Sequence, residues 1–217
     1  MTDAHCHVSG SDGTVRELIV GRDFFGVHPW ESSRGVEGLA EWLRGELKAH
    51  PTAGVGEIGL DRLKQREISP LMRAAFATQL EIAFELGRPV VLHGAKCWGQ
   101  VVREVRRMKE EGGSNDIPFL FHGFSRSDGL ISDIIALNGY ISVGPAILND
   151  QAVNYRELVK QIPLERLLVE TDRTEDSGTV SILDVLAKTA EIRNLSRDEF
   201  EHVIDTNAER FFPRHLI

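Results

Sequence analysis

A short apolar run that ends in a histidine or a carboxylate, followed by a longer segment of helical period, recurs along this chain and limits its fold more than any other feature. The runs are "DAHCHV", "DFFGVHP", "TAGVGEIGL", "RPVVLHG", "IPFLFHGF", "GYISVG" and "RLLVETD". Runs of this length, rich in Val, Ile, Leu and Phe, fit strands buried on both faces. The segments between them repeat near every 3.6 residues. Met72, Phe76, Leu80 and Ala83 share one face of "SPLMRAAFATQLEIAFELG", with Ser69 placed to cap the helix, Pro70 in its first turn and Gly87 at its end. Trp98, Val101, Val105 and Met108 do the same in the next such segment. Ser196 and Glu199 stand at capping-box spacing before Phe200, Val203, Ile204 and Phe211.

Strand then helix, repeated, gives right-handed βαβ units and a parallel sheet. The expected fold is α/β, a TIM-like (β/α) barrel, with all 217 residues in one domain. A doubly wound sheet is the other arrangement such a repeat allows. The start of the chain is abbreviated: only 14 residues separate "DAHCHV" from "DFFGVHP". A parallel crossover needs about a dozen residues or more, so two full units do not fit. The barrel therefore has seven strands, or eight with a very short second strand at "RELIV".

Composition removes several functions. A net charge of −8 and a pI near 5.5 argue against tight non-specific DNA binding. No segment approaches the roughly 20 apolar residues of a membrane span, and no basic region precedes an apolar run at the N-terminus. Two cysteines, Cys6 and Cys97, suit a reducing compartment, so a cytoplasmic location without membrane attachment is expected. Nothing in the sequence calls for an obligate protein partner.

The unusual residues sit where the strands end. His5 and His7 share one side of the first strand through their i, i+2 spacing. His28, His93 and His122 close later runs, Glu57 and Asp61 interrupt "GVGEIGLD", and Glu170 and Asp172 follow "RLLV". A parallel barrel builds its active site at this end of its strands. Singly, each histidine has a bland reading as a hydrogen-bonded buried imidazole. Four histidines with two carboxylates, at five strand ends, point instead to a metal centre. Imidazole with carboxylate suits Zn, Mn, Ni or Fe, and Mg where carboxylate and water dominate. Six ligands, His5, His7, Glu57, His93, His122 and Asp172, exceed one tetrahedral ion. Two divalent ions bridged by Glu57 fit the count. Cys6 alternates with the two histidines and faces away.

In this order the motifs resemble the TatD-like metal-dependent hydrolases over nearly the whole chain. "DAHCHV" is similar to the family's D-x-H-x-H opening, "GVHPW" to its G-[IV]-H-P segment, and "GEIGLD" to its signature. "PVVLHGA", "FHGFS", "VETD" and "TNAERFF" resemble the motifs that follow. The resemblance implies a two-metal barrel hydrolase of phosphodiester bonds, often a DNase, acting on nucleic acid or a small phosphodiester. It implies His5, His7 and Asp172 on one metal, His93 and His122 on the other, and Glu57 between them. Asp172 would orient or deprotonate the attacking water, and Lys96 would balance phosphate charge, with His28 beside the substrate. The chain also departs from the family. Ala95 stands where an arginine is usual, "RLKQ" replaces aromatic residues after "GLD", and "RTED" follows "ETD" in place of a small residue and proline. The metal shell is kept and the substrate shell altered. Two other readings compete: an amidohydrolase-type enzyme for a C–N or ester bond, and a metal-binding module without catalysis. Many amidohydrolases bridge their metals with a carboxylated lysine, and Glu57 at that position favours the phosphodiesterase.

Overall fold

A computed structural model describes residues 1–11, 13–34, 36–64, 66–112, 116–125, 127–178 and 180–213. Among the described residues, eight strands and seven α-helices follow in order: β1 (Thr2–Cys6), β2 (Arg16–Ile19), β3 (Phe24–Phe25), α1 (Leu39–Ala49), β4 (Gly54–Asp61), α2 (Pro70–Leu86), β5 (Val90–Ala95), α3 (Trp98–Glu111), β6 (Phe119–Phe121), α4 (Ile131–Ala136), β7 (Gly139–Val143), α5 (Val153–Gln161), β8 (Leu167–Val169), α6 (Ile182–Ile192) and α7 (Arg197–Phe211). Strands β3 to β8 form one parallel sheet in sequence order, and β1 pairs with β2 in parallel. The second of the two expected arrangements is found: eight strands, with a second strand of four residues.

The barrel closes through sparse contacts at its abbreviated side. A single parallel bridge, Val20 to Phe24, joins β2 to β3. On the other flank the N–H of Asp172 donates to the His5 carbonyl at 3.0 Å, and the N–H of His7 donates to the Arg173 carbonyl at 2.8 Å. Asp3, buried on β1, accepts both the backbone N–H of Thr171 (2.9 Å) and its hydroxyl (2.6 Å).

No helix among the described residues lies between β1 and β3. The crossover from β1 to β2 takes nine residues, 7–15, below the usual minimum. Glu17 makes so short a path workable: its carboxylate gathers the hydroxyl of Ser9 (2.6 Å) and the N–H groups of Gly10 (2.9 Å) and Ser11 (3.0 Å). Burial opposes its ionisation, yet these donors hold the carboxyl below its ordinary range. Arg173 reaches the same carboxylate at 3.2 Å. A Cβ at Gly10 would stand 1.6 Å from the Arg173 guanidinium, so the loop lies directly on that side chain.

The helices follow their sequence signals. Ser69 accepts the N–H of Met72, Gly87 ends α2 at φ 64°, and Ser196 with Glu199 forms a complete capping box on α7. The inward faces of α2 and α3 are buried as expected. On α7, Phe200, Ile204 and Phe211 are buried and Val203 only half so. Asn207 takes a core position because its amide donates to the carbonyls of Leu164 (2.8 Å) and Leu167 (2.9 Å), which satisfies a polar group that burial would otherwise penalise. The end of α7 covers the side that lacks helices: Phe24 packs on Phe211 and Phe212 with ring centroids 6.0 and 4.7 Å away. Burial of each such ring contributes about 2–3 kcal/mol.

Candidate metal centre

The sequence-selected residues sit in the C-terminal part of a strand or just past it, except Glu57 and His93, which lie nearer mid-strand. His5 is the penultimate residue of β1 and His7 follows that strand; Glu57 lies within β4 and His93 within β5; His122 follows β6; Asp172 lies three residues past β8. His28 lies beyond the two-residue β3, in the turn before a short 3-10 helix at Pro29–Arg34. Tight strand contact sets the level of two of these groups. Gly59 of β4 has φ 149°, and a Cβ there would be 2.0 Å from the His93 carbonyl oxygen, so β4 and β5 approach as only glycine allows.

Glu57 is buried and divides its two oxygens between two groups of imidazoles. Oε1 lies 2.6 Å from His93 Nδ1, 2.7 Å from His122 Nε2 and 3.3 Å from His28 Nε2. Oε2 lies 3.4 Å from both His5 Nε2 and His7 Nε2. Asp172 Oδ1 completes the second group, 3.7 Å from His5 Nε2 and 3.5 Å from His7 Nε2. His28 thus lies inside the first group, nearer the centre than a substrate contact requires. Lys96 is exposed on the rim, in left-handed backbone at φ 57°. Asp172 shares that backbone region at φ 48°, a conformation that costs of order 1 kcal/mol or more for a non-glycine residue and recurs at functional sites.

The donor set fits divalent ions. His5 is wholly buried and neither of its ring nitrogens has a hydrogen-bond partner. An imidazole so placed is costly unless something coordinates it. Nitrogen–metal bonds of about 2.0–2.1 Å in a tetrahedral shell put ligand atoms somewhat over 3 Å apart, as in the group around Glu57 Oε2. Without an ion the same crowding shifts the titration of Glu57, His122, His7 and Asp172. Burial opposes ionisation of Glu57, but the surrounding imidazoles, His122 foremost, hold it well below the usual carboxylate range. Burial likewise opposes a charged His122, but Glu57 and Glu170 push it well above the usual value. Asp172 and Glu57 raise His7 to about 9, while burial lowers His28.

Behind the ligand-type groups stand two carboxylates to which the sequence assigned no role. Asp61, fully buried at the end of β4, accepts from His93 Nε2 at 2.8 Å through Oδ2 and from the N–H groups of Leu63 (2.7 Å) and Lys64 (2.9 Å) through Oδ1. An acceptor-only carboxylate fixes the proton of His93 on Nε2, so that the Nδ1 lone pair faces the centre. Glu170 accepts the N–H of Gly123 at 2.7 Å and lies 3.6 Å from His122 Nδ1. The available signal was positional: both carboxylates end apolar runs, as the ligand candidates do. A cavity of about 790 Å³ opens over the centre, lined among others by His93, His122, Asp172, Lys96, Ser125 and Ser127.

A parallel (β/α) barrel with a histidine–carboxylate cluster at the C-terminal ends of its strands defines the class, a barrel scaffold with a divalent-metal type of centre. The particular family follows from comparison. Residues 20–213 match the TatD related DNase family, and the chain belongs to that family. It is 28% identical over 210 residues to the uncharacterised metal-dependent hydrolase YabD of Bacillus subtilis, spanning 90% of this chain and 80% of the relative. Over 149 residues it is 30% identical to the 3'-5' ssDNA/RNA exonuclease TatD of Edwardsiella piscicida, spanning 68% of this chain and 55% of that one. The fold is that of the solved TatD homologue YjjV of Escherichia coli, with a TM-score of 0.76 at 24% identity over 91% of this chain and 76% of that one. A TatD family hydrolase of Entamoeba histolytica superposes with a TM-score of 0.72 at 20% identity, over 92% of this chain and 76% of that one. Among the described residues no helix is long and apolar enough to cross a membrane.

Proposed function

We propose that this protein is a metal-dependent phosphodiesterase that cleaves nucleic acid. The observation that carries the reading is the division of Glu57, one oxygen toward His93, His122 and His28, the other toward His5 and His7 beside Asp172. That division would suit two divalent ions: His5, His7 and Asp172 would hold one, His93 and His122 with His28 adjacent would hold the other, and Glu57 would serve both. Bound ions supply Lewis acidity toward phosphate oxygens and make water acidic at neutral pH. The chain's own groups do the rest. Asp172 is half-exposed to the cavity and accepts the proton of the attacking water. Lys96 sets a positive charge beside the phosphate oxygens. Asp61 holds the His93 ring by its hydrogen bond, and Glu170 sets a negative charge 3.6 Å from His122 Nδ1. The relative named as a ssDNA/RNA exonuclease supports a nucleic-acid substrate.

The test is hydrolysis of bis-p-nitrophenyl phosphate, single-stranded DNA and p-nitrophenyl acetate with Mg²⁺, Mn²⁺ or Zn²⁺, beside Glu57→Gln and Asp172→Asn. The expected result is phosphodiester turnover that chelator abolishes and that each substitution lowers by about a hundredfold or more. Turnover that survives both substitutions, or an enzyme that takes only the carboxylic ester, overturns the reading.

A further inference from the structure

Tryptophan 30 is 43% exposed, yet its ring is held on several sides. The indole packs edge-on to His28 at 4.5 Å between centroids and to His93 at 6.0 Å. Asp61, the carboxylate that orients His93, also ties down the N–H groups of Leu63 and Lys64. The ammonium of Lys64 lies over the indole face, 3.3 Å from its centroid. One buried carboxylate thus fixes an imidazole of the centre and the loop that carries a cation to the indole face. A large apolar ring that is exposed, preoriented and beside a catalytic-type centre is unusual for a surface tryptophan. The cover that Lys64 lends that face is a flexible, strongly hydrated ammonium, which moves at low cost.

We propose that Trp30 is a stacking platform for a nucleobase flanking the scissile phosphate, and that Lys64 swings from the indole face to the phosphate when the base arrives. This rests on the phosphodiesterase reading and deepens it: the substrate is recognised through an unpaired base as well as through its phosphate. Every base offers a π-face to an indole, so the platform accepts any sequence but requires an unstacked nucleotide. It selects single-stranded nucleic acid over small phosphodiesters that carry no base.

Binding of dAMP and of 2-deoxyribose 5-phosphate to the metal-loaded protein, followed by tryptophan fluorescence and calorimetry, tests this. Neither ligand contains a phosphodiester bond, so cleavage does not intrude. The expected result is saturable quenching by dAMP and an affinity about ten- to a hundredfold above that of the base-free phosphate. Trp30→Ala removes the quenching and brings the affinity ratio close to one, whereas Trp30→Phe, which keeps a smaller aromatic face, retains part of it. Lys64→Gln weakens both ligands alike and leaves the ratio. Equal affinities in the wild type, or a ratio unchanged in Trp30→Ala, overturn the platform. Hydrolysis of bis-p-nitrophenyl phosphate separates the two ideas. Turnover without a Trp30-dependent ratio refutes the platform and leaves the enzyme, while a Trp30-dependent ratio without turnover refutes the hydrolysis and leaves the platform.

Discussion

Replacing Asp61 by asparagine changes one oxygen to an amide and asks whether this residue sets the state of His93. Oδ1 already accepts two backbone N–H groups, Leu63 at 2.7 Å and Lys64 at 2.9 Å, so the asparagine keeps its oxygen there. The amide nitrogen then takes the place of Oδ2, which faces His93 Nε2 at 2.8 Å. An amide N–H donates, so Nε2 must become the acceptor and the ring proton moves to Nδ1. That atom faces Glu57 Oε1 at 2.6 Å and must be unprotonated to bind metal. Loss of such an orienting partner lowers metal affinity by about 10- to 100-fold, or about 1.4–2.7 kcal/mol. The backbone acceptors survive, so fold stability changes little. Asp61→Ala, in contrast, removes the acceptor of two N–H groups on the exposed residues Leu63 and Lys64, at about 0.5–1.5 kcal/mol each. Zinc competition against a chromophoric chelator reads the first effect and urea unfolding the second. Wild-type zinc affinity in a folded Asp61→Asn protein refutes the tautomer argument.

Other outcomes follow from the same geometry. Gly10→Ala drives a methyl toward the flexible end of Arg173, 1.6 Å away, which must give way and loosen its contact with Glu17; urea unfolding should show a loss of about 0.5–1 kcal/mol, and an unchanged midpoint refutes the loop-on-arginine account. Gly59→Ala places its Cβ 2.0 Å from a main-chain oxygen of β5, which cannot rotate away, so a loss of about 3 kcal/mol or more is expected together with weaker metal binding. Metal affinity should fall with pH below about 9, because Asp172 and Glu57 raise metal-free His7 to about 9 and ligation requires its neutral ring. From pH 8 to 6 this group alone accounts for about tenfold per unit; calorimetry in two buffers counts the displaced protons, and a pH-independent affinity with no proton release contradicts the assignment.

What could be read from the chain beforehand was what is written locally. Strand ends were legible because a histidine after "PVVL" or "PFLF" interrupts an apolar run for no packing reason. Helix ends were legible because Ser69, Gly87, Ser196 and Glu199 act on backbone groups within a few residues of themselves. Where partners lie far apart in sequence, the pattern is silent. Glu17 looks like any acidic residue in "RELIV", yet it organises Ser9, Gly10 and Ser11 and meets Arg173 from 156 positions away. Asp61 showed as an anomaly at a strand end, but not which imidazole it would face. His28, at the end of a run that forms only two residues of strand, reaches the centre through a loop that no periodicity reports.

The closure between β1 and β8 has a consequence for how the protein is made. His5 and His7 leave the ribosome ahead of Asp172 and the carbonyl of Arg173, which fix their strand and are added more than 160 residues later. At roughly 5–20 residues per second, several seconds pass in which the first ligand pair exists without its wall. During that interval neither histidine has the carboxylate that completes its set, and a chain interrupted before β8 carries an open sheet edge at β1. Synthesis order thus delays assembly of the centre until the barrel itself can shut.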